Sequence, residues 1–363
     1  MIKRLPYNQK DLLATAYFYY TTTLTAKIAA VLGNTDDVKK YTSLSANIKD
    51  AFNKEFVTAN GRLVSRMGDI STPMFTRSAL KPFQAMPLIA GFSDPYNLSD
   101  ADVALLCASH NGEAAHSSRA GALLKRAGCQ ETDLQCGTHV PFYYTTNQLP
   151  TPDKGSYGRL QHNCSGKHAG MLMLARALGE PIETYTQTTH RVQAVVRDSV
   201  SHFTEVPAAQ LVVGIDGCSV PNYAIPLAAL ALAYAKLTRQ AADPVYGDAP
   251  ARVFQAMAQH GALVSGMGRN DLALNRAGGG DWIAKLGADG VQAIASRSRQ
   301  QAIAVKIADG SLPMLMWIVI NVLEQLGWMT DSARHALKSY VPGPLLNVAG
   351  LEVGETRPVF QMP

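Results

Sequence analysis

The chain has 363 residues, with 33 Lys and Arg against 28 Asp and Glu, for a formal net charge of +5. Hydrophobic residues make up 47% and charged residues 17%, which allows a buried core and excludes a disordered chain. The basic residues are scattered and form no run interleaved with aromatics, which argues against a nucleic-acid partner.

Met1-Ile2-Lys3-Arg4 leads into polar sequence and not into an apolar signal core. The apolar stretch 314–323 is too short to cross a bilayer, so it reads as a buried helix and no membrane partner is expected. Five cysteines, an odd number, without a secretory signal predict reduced thiols in a cytoplasmic protein.

Residues 1–56 read as a helical hairpin. A first helix over 11–32 stops at Gly33-Asn34, and a second begins at Thr35-Asp36-Asp37. Tyr41, Leu44 and Ile48 recur at three- and four-residue intervals, giving the second helix one apolar face. From residue 57 onward, to 363, the texture is that of a separate domain. Asn60-Gly61 marks a tight turn between strands at 56–57 and 62–64.

Arg77-Ser78-Ala79-Leu80-Lys81-Pro82-Phe83-Gln84 follows. Ser78 and Lys81 are one turn apart, so an amine can reach a hydroxyl and take its proton. Pro82 delays or distorts the start of the helix. The apolar run 101–109 delivers Ser109-His110-Asn111 at its end, and a helix is expected over 113–127. Lys285-Leu286-Gly287 closes a later hydrophobic run. Ser-x-x-Lys, Ser-x-Asn and Lys-x-Gly in this order are the motifs of penicillin-recognising serine hydrolases.

In His162-Asn163-Cys164-Ser165-Gly166-Lys167-His168, Asn163 or Ser165 is the expected cap of a helix running to about Leu178. Cys164 then lies at a helix start, where the dipole favours a thiolate. A buried strand over 211–215 ends in Asp216-Gly217-Cys218, and mostly helical sequence is expected from there to 259. Strands over 282–285 and 291–295 pair around Gly287-Ala288-Asp289-Gly290. Another strand spans 303–307, Asp309-Gly310 reads as a hairpin turn, and a last strand covers 354–360.

From residue 57 the motifs around Ser78, Ser109, Cys164-Ser165-Gly166-Lys167-His168, Asp216-Gly217-Cys218 and Lys285 resemble the bacterial L-asparaginase II family, Rhizobium etli type, whose fold is β-lactamase-like. The resemblance implies an α+β domain with helices packed on an antiparallel sheet, hydrolysing L-asparagine to aspartate and ammonia. It implies Ser78, Lys81, Ser109 and Lys285 as catalytic residues. Cys164, Lys167 and Cys218 become zinc ligands, and Asp216, His168 and Asn111 substrate contacts. A homodimer is implied as well.

Two departures accompany the resemblance. Family members open on an Arg-Gly-Gly…Glu…His segment that forms a central strand. Here that place is taken by a stretch resembling a fragment of bacterial α-L-rhamnosidases, around Thr15-Ala16-Tyr17-Phe18-Tyr19-Tyr20 and residues 48–56. An interrupted sheet and loose packing of residues 1–55 are expected. Members also often have Ser where Asn111 stands. Which serine is the nucleophile stays open. Other readings are a penicillin-recognising hydrolase and an inactive zinc-binding or interaction protein.

Overall fold

The computed structural model describes residues 30, 35–40, 54–59 and 61–362. The predicted hairpin of residues 1–56, with its rhamnosidase-like wording and loose packing, lies mostly outside these. Of it, residue 30 and residues 35–40 are helical.

Strands β1 (Lys54–Thr58), β2 (Leu63–Met67) and β3 (Met74–Phe75) lead through a 3-10 turn (Arg77–Leu80) into α1 (Lys81–Phe92). Helices α2 (Asp100–Leu106), α3 (Ala114–Arg126), α4 (Phe142–Thr146), α5 (Ser165–Ala177) and α6 (Arg191–Thr204) follow. Then come β4 (Val212–Ile215), β5 (Pro221–Ile225), α7 (Leu227–Lys236), α8 (Ala249–Gln259), α9 (Gly261–Val264) and α10 (Asn270–Ala277). Strands β6 (Trp282–Gly287), β7 (Val291–Ser296) and β8 (Gln301–Lys306) precede α11 (Leu312–Gln325), α12 (Asp331–Leu337), β9 (Leu345–Leu346) and β10 (Glu352–Gly354). This is an α+β chain.

The main sheet has the order β2-β1-β8-β7-β6, antiparallel throughout. Strand β1 pairs on both sides, with β2 and with β8, so the ladder has no gap among the described strands. The expected interruption is absent. Gly61, at φ 81, takes the left-handed conformation that the turn between β1 and β2 requires.

Strict alternation explains why β7 and β8 are buried on both faces. Ala293, Ala295, Ala302 and Ala304 point into one core, and their small side chains let α7 approach closely. Ile294, Ile303 and Val305 point the other way, against Leu315, Met316, Val319 and Leu323 of α11. The sheet is thus the middle of three layers. In the larger core, α5 crosses α2 with almost no separation: a Cβ on Gly166 would stand 2.4 Å from the Leu105 carbonyl oxygen.

Four local expectations need correction. Strand β4 is the edge of a small sheet ordered β3-β5-β4, and Val212, Val213 and Ile215 are exposed, so it is not a buried strand. An edge strand covered on neither face cannot bury alternate residues. Strand β5, buried along its whole length, interrupts the helical stretch expected after Cys218. Asp309-Gly310 turns into α11, whose Ser311 cap accepts from Met314 N, and not into a hairpin. The chain after Gly354 has no strand pairing, so the last strand is only Glu352–Gly354. Among the described residues no helix is long and apolar enough to cross a membrane.

Candidate active site

The turn that carries Ser78 is built against the local preference of its own backbone. Arg77 has φ 52, a left-handed conformation that costs a non-glycine residue about 1–2 kcal/mol. The carboxamide of Asn222 on β5 clamps it from both sides. Arg77 N donates to Asn222 Oδ1 at 3.1 Å, and Asn222 Nδ2 donates to Arg77 O at 3.0 Å. The guanidinium is tied down as well, to Asp216 (Nη2 to Oδ1, 2.9 Å) and to Asp289. Burial works against its charge, but the two carboxylates outweigh this and hold its pKa above the ordinary value.

The backbone reversal leaves Ser78 half-buried while Ala79 and Leu80 are fully buried. Tyr234 of α7 pins the turn from below, its hydroxyl donating to Ala79 O at 2.7 Å. Strand β6 pins it from the side: a Cβ on Gly287 would sit 2.3 Å from Thr76 O. Pro82 falls in the first turn of α1, where its missing N–H has no helical partner to lose.

Lys81, buried, does not point its nitrogen at Ser78. It donates to the Ala108 carbonyl at 2.7 Å and to the Asn163 carbonyl at 3.4 Å. This joins α1 to the Ser109 segment. Ser109 Oγ accepts from Asn163 Nδ2 at 3.0 Å, and Asn163 itself is held by His139, to whose Nε2 its backbone N–H donates at 3.1 Å.

Lys285 on β6 is fully buried and close enough to Lys81 for the two cations to repel. Burial, the larger cause, pushes its pKa down from 10.5 to about 8, against the pull of Asp271. An amine at about 8 both gives and takes protons near neutral pH.

A second cluster adjoins this one through Asn163-Cys164. Cys164 is the N-cap of α5, with Ser165 the first helical residue, so neither Asn163 nor Ser165 is the cap. Cys164 is hydrogen-bonded to Cys218, and Lys167 Nζ donates to Cys218 Sγ at 3.0 Å. The hydrogen bond from Cys164 and the Lys167 ammonium push the Cys218 pKa far down, so Cys218 holds the negative charge. Cys164 keeps its proton, its pKa raised by that same hydrogen bond and by burial.

His168 is buried beside them. Its Nδ1 is 2.6 Å from the Tyr185 hydroxyl, and its ring also interacts with Cys218, which helps to lower the pKa of that thiol. Among the described residues no group of three or more His, Cys, Asp or Glu is placed to hold a metal ion. All five cysteines are free and buried. Burial pushes Cys107 and Cys136 up to about 12, which leaves them as unreactive thiols.

The structure therefore gathers Ser78, Lys81, Ser109 and Lys285 in one locus, with Asp216 attached through Arg77. Cys164, Lys167, Cys218 and His168 form the adjoining group. Asn111, two residues after Ser109, borders the first group, with its side chain bonded within the protein. Its amide donates to Glu113 Oε1 and Met267 O, and its oxygen accepts from Arg269, so its hydrogen-bonding capacity is taken up within the protein.

A family model described as L-asparaginase II matches residues 52–358. The chain belongs to the L-asparaginase II family. It is an enzyme of the L-asparaginase type, an amidohydrolase acting on a small-molecule amide. No curated protein matches the chain. Nothing found supports a penicillin-recognising hydrolase or an inactive binding protein.

Several residues of this asparaginase site are invisible to motif reasoning. Asn222 meets Arg77 across 145 residues, and Asp271 meets Lys285 from a helix with no motif of its own. Arg77 could be read as the neighbour of Ser78, but its left-handed backbone has no sequence signature when the residue is not glycine.

Proposed function

We propose that the enzyme hydrolyses L-asparagine through an acyl-enzyme on Ser78, in a β-lactamase-like arrangement of the Rhizobium etli type. The observation that supports this most is the convergence of the three motifs. The Ser78 turn abuts β6, Lys81 bonds the carbonyl beside Ser109, and buried Lys285 of β6 lies near Lys81.

Ser78 Oγ attacks the carboxamide carbon and its proton passes to Lys81 in the neutral form, which the repulsion from the Lys285 cation favours. The tetrahedral intermediate collapses, the C–N bond breaks, and Ser109 with Lys285 delivers a proton to the departing ammonia. Water then attacks the ester and gives a proton to Lys285, the C–O bond to Ser78 breaks, and Lys81 returns the proton to the serine as aspartate leaves. The adjacent Arg77 and Asp216 charges suit the carboxylate and ammonium of an amino-acid zwitterion.

Zinc is part of this reading. Two thiol sulfurs that already share a proton and an amine nitrogen 3.0 Å from one of them form a three-donor set that suits it. Cys164, Cys218 and Lys167 would hold the ion, which supplies Lewis acidity or orients the substrate. Lys167 keeps its proton against burial because Cys218 and Cys164 stabilise it. Metal binding has to displace that proton. A cytoplasmic homodimer completes the proposal.

A coupled assay of ammonia release on asparagine, glutamine and buffer tests it. Release from asparagine by the wild type and none by Ser78→Ala is expected. Wild-type turnover in the variant would end the mechanism.

A further inference from the structure

A fully buried ammonium is costly unless something is built to receive it. For Lys285 that something is Asp271, in the first turn of α10. Its Oδ2 accepts from Lys285 Nζ at 3.1 Å, and the amine's other contact is the Leu286 carbonyl at 3.1 Å. Asp271 is itself buried, and its Oδ1 accepts from Gln292 Nε2 at 3.1 Å. Gln292 is steadied by the Ala293 carbonyl at 3.2 Å, while its own Oε1 finds no partner.

A buried amide oxygen left unpaired costs about 1–3 kcal/mol, so Gln292 is not there for stability alone. Its amide nitrogen is spent on fixing the carboxylate. The first turn of a helix also favours a carboxylate, through the free N–H groups and the dipole.

We propose that Asp271, which has no role in the Ser–Lys scheme above, is the positioning residue for Lys285. The proposal rests on that scheme. Three elements, α10, β6 and β7, converge on one amine and fix both where it points and when it is charged. The groups facing Lys285 are Asp271 from α10, Arg269 from the loop before it, Lys81 from α1 and the neutral thiol of Cys107 after α2. Burial and the two cations favour the neutral amine, and Asp271 opposes them. Removing the carboxylate must shift Lys285 deprotonation to lower pH.

The test is the pH profile of kcat and KM for ammonia release from L-asparagine. Asp271→Asn is expected to move the falling limb of kcat, set by loss of the Lys285 proton, about one pH unit or more to the acid side. Plateau kcat should fall on the order of tenfold, with KM little changed. Gln292→Met removes the donor from the other carboxylate oxygen and concentrates charge on the one facing Lys285, so its limb should move to the alkaline side. This variant also removes the unpaired amide oxygen, so it is expected to fold, and it decides the matter alone if Asp271→Asn does not.

A merely structural role lowers the melting midpoint without moving either limb. A limb at the wild-type position in a folded variant overturns the proposal. Lys285→Met separates the two readings. Full activity there would sink the Ser–Lys scheme itself, whereas an inactive Lys285→Met beside an unmoved Asp271→Asn limb would sink only the role of Asp271.

Discussion

Replacing Asn222 with Ala should disable the enzyme without touching any residue that meets substrate. The variant removes both hydrogen bonds that hold Arg77 in its left-handed conformation, at 3.1 and 3.0 Å. Each contributes about 1 kcal/mol, and two partly buried backbone groups lose their partners, so a loss of about 2–3 kcal/mol is expected. At roughly 2 °C per kcal/mol for a chain of this size, the melting midpoint should fall by about 4–6 °C. The larger effect should be on kcat. Arg77 is free to relax toward the right-handed region, and Ser78 moves with it. A displacement of about 1 Å costs on the order of 100-fold in rate. Calorimetry and the ammonia assay measure the two effects separately. An Asn222→Ala protein with an unchanged midpoint and wild-type kcat would show that the clamp does not hold the turn.

Other outcomes follow from the same geometry. Turnover should fall with pH above about 8 as Lys285 loses the proton it delivers to ammonia, and a flat profile over that range would count against Lys285 supplying the proton. The folded pKa of Lys285 lies below its ordinary 10.5, so the unfolded chain binds the proton more tightly. Its contribution to stability is therefore lowest below about pH 8 and rises from there to about 10.5. Lys285→Met should flatten that rise in thermal melts. Purified wild type should hold near one equivalent of zinc and the Cys164→Ser, Cys218→Ser double variant almost none, with equal content in both refuting the donor set. Gly166→Ala drives a methyl against the Leu105 carbonyl oxygen at 2.4 Å, and should cost about 1–3 kcal/mol in chemical denaturation.

Much of the fold was legible because its strands obey short-range rules. The Asn60-Gly61 pair and the apolar runs flanking Gly287-Ala288-Asp289-Gly290 announce strands within a dozen residues. The exposure of β4 was not legible, since an apolar run reads the same on a sheet edge as in a core. The site was legible where a motif packs two functional groups into one turn, as with Ser78 and Lys81. Even there the structure departs from the simplest picture, because the Lys81 nitrogen bonds Ala108 and Asn163. Asn222 and Asp271 could not be anticipated. Their partners are brought to them by tertiary packing, and a carboxamide or carboxylate in sequence carries no mark of what it will hold.

The central claim is that Ser78 forms the acyl-enzyme during asparagine hydrolysis. Acid quenching during turnover, followed by mass spectrometry of the digested protein, tests it most directly. A β-aspartyl adduct on the peptide containing Ser78, absent from Ser78→Ala, is the predicted result. The same adduct on Ser109 with Ser78 unmodified would contradict it.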